Sequence, residues 1–327
     1  MAAGKQSPSG AQLLVDGYNM LASTGTSPLS FEEISEISET TGVGMAARTR
    51  APKGITSVTL EQQGAFWDTA TNSIHDALAT KLGSSPTSNV RIVCAGFAGN
   101  EENAPIQCFE GGYNNRYKVI GSDDDLQKVD VEYAMNGNHD PAIILQPLAA
   151  KTATWNTEAS SFDYTADISQ IAIPITSSSV ANPSVITTTV AHGLTTGDKV
   201  LISGHSGATP SINAEQVATV VTTTTFTIPV NVTVGGTGGS FVRADSAGGG
   251  VGYLQVTAAS GFTNFVGKIR DSTDDISFAD VLSFADNVSA PFAERVTVAG
   301  DIDRYLSVTG TLTGSGSLTS LIAFARS

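Results

Sequence analysis

Apolar and polar positions alternate over short runs along most of this chain, the pattern of strands with one covered face. Up to Ala150 the strand-like runs are Gln12–Tyr18, Ile55–Leu60, Val90–Phe97, Ile106–Phe109, Tyr117–Ile120, Lys128–Tyr133 and Ala142–Leu145. Each is rich in Val, Ile or aromatics and is bounded by Gly, Asn, Asp or Pro. One segment has a different period. Phe66, Ala70, Ile74, Leu78 and Leu82 recur every four residues, which places them on one stripe of a helix. The spacing predicts a single helix over Asp68–Leu82, packed on the sheet, with Gly83 as its left-handed C-cap and Asp68, Thr69 or Thr71 able to cap its start. In Phe31–Glu39 the apolar residues Phe31, Ile34 and Ile37 recur every three positions, which fits neither a clean strand nor a full helix and leaves strand, bulged strand and short helix open. Its glutamates, Glu32, Glu33, Glu36 and Glu39, are read either as a solvated face or as a surface that looks toward DNA.

The pattern changes near Lys151. Lys151–Asp167 is a polar connector, and Ile168–Ala244 is a Thr/Val-rich block with almost no charge. Its predicted strands are Val185–Val190, Lys199–Ile202, Gln216–Val221, Thr225–Ile228 and Gly239–Arg243, with the glycines of 235–239 and 248–250 supplying flexible turns. In the last block Leu254 and Val256 alternate with Gln255 and Thr257. Leu306, Val308, Gly310 and Leu312 alternate with Tyr305, Ser307, Thr309 and Thr311, and a final strand covers Leu318–Phe324. Period two with one apolar face predicts an antiparallel sheet covered on one side, arranged as a sandwich. The fold expected is therefore mainly β with one α-helix.

Composition supports packed cores: 40% of the 327 residues are apolar and only 15% are charged, which excludes a disordered chain. The net charge of −14, from 17 basic and 31 acidic side chains, argues against a protein that grips nucleic acid, though not against one that nucleic acid slides past. Cys94 and Cys108 form no disulfide framework and read as small buried hydrophobes. No apolar run approaches the roughly 20 residues that span a bilayer, and the start of the chain lacks a signal-peptide stretch, so an intracellular product is expected.

Candidate chemistry is sparse. His75, His139, His192 and His205 show no paired metal-ligand spacing, and CxxC, GxSxG and phosphate-loop patterns are absent. A Ser-His-Asp set assembles in space and is not legible from spacing. The acidic runs Ser122–Leu126 and Asp271–Asp275 read as turns rather than calcium loops. No catalytic, cofactor or metal residue is assigned, and the chain is read as a non-enzyme.

Several stretches together resemble the major tail (tail-tube) proteins of long-tailed phages. Gln12–Tyr18, the single helix and Ile144–Ala150 resemble the N-terminal part of that family. Gly252–Ala258, Val266–Ser272, Glu294–Gly300 and Arg304–Val308 resemble the sandwich that follows it. Between them, Ala191–Gly204 resembles a small β-barrel module found in phage structural proteins. The resemblance implies a tail-tube domain over 1–150, a C-terminal β-sandwich over 151–167 and 245–327, and an inserted barrel over 168–244, the last two on the exterior. It implies a virion tail protein made in the host cytoplasm, whose hexameric rings stack into a tube. DNA would pass through the lumen without specific binding, with Glu32, Glu33, Glu36 and Glu39 as lumen-facing candidates. The partners implied are other copies of the chain and the tape-measure, tail-terminator and tail-tip proteins. A different phage component (tail tip, baseplate or capsid decoration) and a host-surface or carbohydrate-binding module are the alternatives. Neither Ile168–Ala244 nor the last block from Gly252 onward contains a Trp for a sugar site.

Overall fold

The structure is a computed structural model that describes residues 11–20, 29–39, 50–66, 78, 91–122, 125–134, 139–164, 172–244 and 249–326. Among the described residues its elements are strands apart from one 3-10 turn, Glu158–Ser160, and the helical Leu78. The first group is β1 (Gln12–Val15), β2 (Tyr18–Asn19), β3 (Leu29–Glu39), β4 (Arg50–Phe66), β5 (Arg91–Gly96), β6 (Pro105–Ser122), β7 (Asp125–Ala134) and β8 (His139–Lys151). Two short strands follow, β9 (Trp155–Asn156) and β10 (Phe162–Asp163). The barrel strands are β11 (Ile173–Ser178), β12 (Ser184–Thr188), β13 (Lys199–Ser203), β14 (Glu215–Val217), β15 (Thr219–Thr222), β16 (Thr225–Ile228) and β17 (Ser240–Arg243). The chain closes with β18 (Gly250–Ser272), β19 (Ala279–Ser283), β20 (Phe292–Val298) and β21 (Tyr305–Arg326). Of the helix expected over Asp68–Leu82, only Leu78 lies among the described residues; it is helical and fully buried.

The larger sheet runs β19-β18-β21-β8-β6-β5-β1-β2, every pair antiparallel. Long strands carry it. β18 and β21 pair from Gly250–Arg326 at one end to Ser272–Tyr305 at the other. The outer edge of β21 then pairs with β8, so the last block and the first region share one sheet. This is why the alternation read at Leu254 and Val256 understates burial. Leu254 and Val256 enter one apolar cluster with Phe265, Ile269 and Leu306, while Val251 and Tyr253 enter another with Leu14, Cys94 and Ile144. Residues 250–256 are buried on both faces, not one.

Cys94 and Cys108 stand directly opposite each other on β5 and β6, both fully buried, as small core residues do. A polar network seals the same layer. Asp140 accepts from the Tyr253 hydroxyl and from Arg295 (3.0 Å), and Arg295 Nε donates to the Tyr253 oxygen (2.9 Å). Burial, with the Asp140 carboxylate beside it, pushes the Tyr253 phenol far above its usual range.

The barrel is a separate seven-stranded sheet, β14-β13-β17-β11-β12-β16-β15, nearly closed around Ile186, Val200, Ile202, Phe226 and Phe241. The single run expected over Gln216–Val221 is two strands, interrupted at the buried Ala218. The glycines of 235–239 are not flexible spacers. A Cβ on Gly236 would lie 2.6 Å from His205 Nε2, and one on Gly239 would lie 2.5 Å from the His205 backbone nitrogen. Gly235, Gly236 and Gly239 are required because backbone packs against backbone there.

Candidate self-association surface

The segment Phe31–Glu39 is resolved as part of a strand, with a register irregularity between Ser35 and Ile37. That irregularity explains why its apolar spacing fits neither a regular strand nor a helix. β3 is the edge of a four-stranded antiparallel layer, β3-β4-β7-β6. One face of this layer buries Leu60, Val129, Val131 and Tyr133, with Phe31 and Tyr117 packed against them. The other face is polar. Register places Ser30, Glu61, Glu132 and Arg116 in one row, where Arg116 pairs with Glu61 and lies 3.7 Å from Glu132. In the next row Lys118 is opposite Asp130. Asp130 in turn accepts the N–H of Gly64 (2.9 Å), whose φ of +69° serves an irregularity in β4.

Two properties make this layer a candidate surface. First, both edges are open among the described residues: β3 pairs with β4 alone, and the Tyr113–Ser122 half of β6 pairs with β7 alone. An open edge presents unpaired N–H and C=O groups, a template for another strand. The four strands alternate in direction, so β3 and the distal half of β6 are antiparallel. A second copy laid edge to edge continues the antiparallel order. Second, the edges differ in charge. Ser30, Glu32, Glu33 and Ile34 are exposed on β3, and Lys118, Val119, Ile120 and Gly121 are exposed on β6. Acid on one edge faces base on the other when copies repeat in one sense.

The four glutamates do not share one surface as a block. Strand alternation sends Glu32 to the polar face and Glu33 to the opposite one. There Glu33 lies 3.8 Å from His139 Nε2, and the His139 ring packs 5.6 Å from Phe31. The side chains of Glu36 and Glu39 lie outside the described residues.

The remaining sequence candidates are placed in structural roles. In the barrel, His205 Nδ1–H donates to the Gly238 carbonyl (2.7 Å), its Nε2 accepts from Ser178 (2.9 Å), and Ser178 Oγ accepts the Gly236 N–H (2.9 Å). The histidine's outer partner is thus a carbonyl, not the carboxylate of a catalytic set. His192 Nδ1 accepts the Leu194 N–H (3.0 Å) and Nε2–H donates to Thr222 O (2.8 Å). Asp198 accepts from Thr195 N (2.8 Å), Thr195 Oγ1 (2.7 Å) and Arg243 (3.0 Å). The stretch Ala191–Gly204 therefore owes its composition to a loop held by its own side chains. Asp274 is used in the same way, accepting from Ser272, Ile276 and Ser277. The Ser277 N–H foremost holds its carboxyl below the ordinary value. His75, Asp123 and Asp124 lie outside the described residues. Among the described residues no group of three or more His, Cys, Asp or Glu is placed to hold a metal ion, and no helix is long and apolar enough to cross a membrane.

No protein-family model matches the chain, and neither does any curated protein. Among solved structures the chain is similar to the SPP1 Dit (gp 19.1) protein, described as a paradigm of the hub adsorption apparatus in phages that infect Gram-positive bacteria. The match covers 97% of this chain and 99% of that one, at 11% identity and a TM-score of 0.29, a superposition too loose to carry an argument about function.

Proposed function

We propose that this chain is a structural subunit of a phage tail that associates with copies of itself through the β3 and β6 edges. The observation that supports the reading most is the four-stranded layer with two antiparallel, oppositely charged edges that are open among the described residues. Repetition in one sense gives a head-to-tail interface, and where the rotation between copies closes, a ring removes the exposed edges. The sequence resemblance supplies the setting, a tail whose lumen passes DNA, and the net charge of −14 suits passage without grip. The barrel, a sheet and core of its own, is proposed as an exterior module inserted over 168–244. Both a tube subunit and a hub or baseplate subunit at the tail tip fit this reading, because each needs ring closure and they differ in whether rings stack.

Electron microscopy of the purified chain over a range of concentration and ionic strength tests it. Stacked rings place the chain in the tube. Discrete rings that do not stack place it at the tip or baseplate. Monomers under every condition, with no ring in the presence of the other tail proteins, remove the reading.

A further inference from the structure

We propose that Cys94 and Cys108 are a cross-link site, closing to a disulfide between β5 and β6 when the protein meets a low-molecular-weight disulfide such as oxidised glutathione. The two sulfurs are 3.2 Å apart and both residues are fully buried. They are directly opposed in antiparallel register. Opposed residues on such strands have Cα atoms about 4.5–5.5 Å apart, inside the roughly 4.4–6.8 Å that a disulfide spans. Closing the bond therefore asks for a small side-chain rotation and no change of register. The strands hold the pair in place from both sides. β5 is pinned by β1, and β6 by β8. Gln255 lies over Cys94 (Nε2 to Sγ 3.6 Å) while donating to Ile92 O (3.0 Å) and accepting from Gly17 N (2.6 Å).

The exchange balances with the small disulfide as the only oxidant. One cysteine gives up its thiol proton and its thiolate attacks a sulfur of the small disulfide, breaking that S–S bond and releasing one small thiolate. The other cysteine, deprotonated in turn, attacks the mixed disulfide and releases the second. Two protein thiols lose two electrons, one small disulfide gains them, and the two protons end on the released thiols. Burial holds the Cys108 thiol well above its ordinary pKa, so the folded subunit is slow to react. The bond forms as the chain folds, or when β5 and β6 part. Synthesis in a reducing compartment leaves the dithiol, and release into an oxidising medium makes the cross-link accessible.

The test is refolding of the full chain from denaturant with oxidised glutathione, followed by alkylation of free thiols, digestion and mass spectrometry. The expected product is a linked peptide pair that joins Cys94 to Cys108. It should melt several degrees above the dithiol form, with the rise abolished by dithiothreitol and missing in Cys94→Ser and Cys108→Ser. Recovery of both thiols free, of glutathione adducts alone, or of a linked form that melts below the dithiol overturns the proposal.

Discussion

The indole of Trp155 lies across Gly310, its partner in the β9–β21 register, so closely that a Cβ on the glycine would sit 2.2 Å from the ring. The ring also stacks on Phe265, nearly parallel at 5.8 Å. Gly310 occupies a place in the row Leu306, Val308, Leu312 where an apolar side chain is expected, and the tryptophan supplies the missing cover from another strand. Gly310→Ala must expel the indole or displace β9. Such overpacking costs about 1–3 kcal/mol. The expected outcome is a lowered melting temperature and a red-shifted Trp155 emission, read in a Trp67→Phe background.

The edge charges give a reciprocal prediction for assembly. Lys118→Glu or Glu32→Lys alone places like charges along the proposed seam, and over repeated seams this should raise the concentration needed for ring formation by roughly an order of magnitude. The double variant restores opposite signs at every seam and should recover assembly. Sedimentation velocity across a concentration series reads both. Assembly unaltered by the single changes would place the copy-to-copy contact elsewhere.

His205→Ala should destabilise the barrel selectively. It leaves the buried Ser178 hydroxyl without its acceptor and frees the Gly238 carbonyl to solvent, at a cost of about 1–3 kcal/mol. Amide exchange should quicken at Phe226 and Phe241, which lie in the barrel core, and stay unchanged at Leu254 and Leu306.

Asp271 predicts a pH dependence. Its carboxylate accepts the Asp303 N–H (2.8 Å), and burial raises its pKa above 3.8 against the opposing pull of Lys199 and Arg326. A carboxyl with a raised folded-state pKa contributes stability that is fully present below 3.8 and lost as pH rises through the folded value. Asp271→Asn keeps an acceptor and removes the buried charge. It should raise the melting temperature at neutral pH and leave it nearly unchanged well below pH 3.8, flattening the profile between.

Strand type was legible wherever a side chain's neighbours in sequence decide its environment. The period of two is local, so Thr225–Ile228 and Lys199–Ile202 were readable as strands, and the structure places them at Thr225–Ile228 and Lys199–Ser203. The scarcity of metal-ligand spacing was equally a property of the linear order. What alternation does not contain is the partner. Ile106–Phe109 and Tyr117–Ile120 read as two runs because Gly111, Gly112, Asn114 and Asn115 look like a turn. They are one strand, β6, in which Gly111 at φ +88° and a register shift after Asn114 let the chain leave one sheet and enter another.

The same division holds for the candidate surface. That Glu32 and Lys118 exist, and that the chain is acidic, the sequence determines alone. That they mark opposite edges of one layer, open among the described residues, follows from pairings between distant segments, such as Phe31 with Leu60 and Leu60 with Tyr133. Likewise, burial of both faces at 250–256 depends on β1 and β5 arriving against β18 from a distant part of the chain, where Val251 and Tyr253 share a cluster with Leu14 and Cys94. Local periodicity determines which side of a strand is apolar. Only the long-range pairing that closes the sheets decides what covers that side, which edges stay open, and that Cys94 faces Cys108 across one register step.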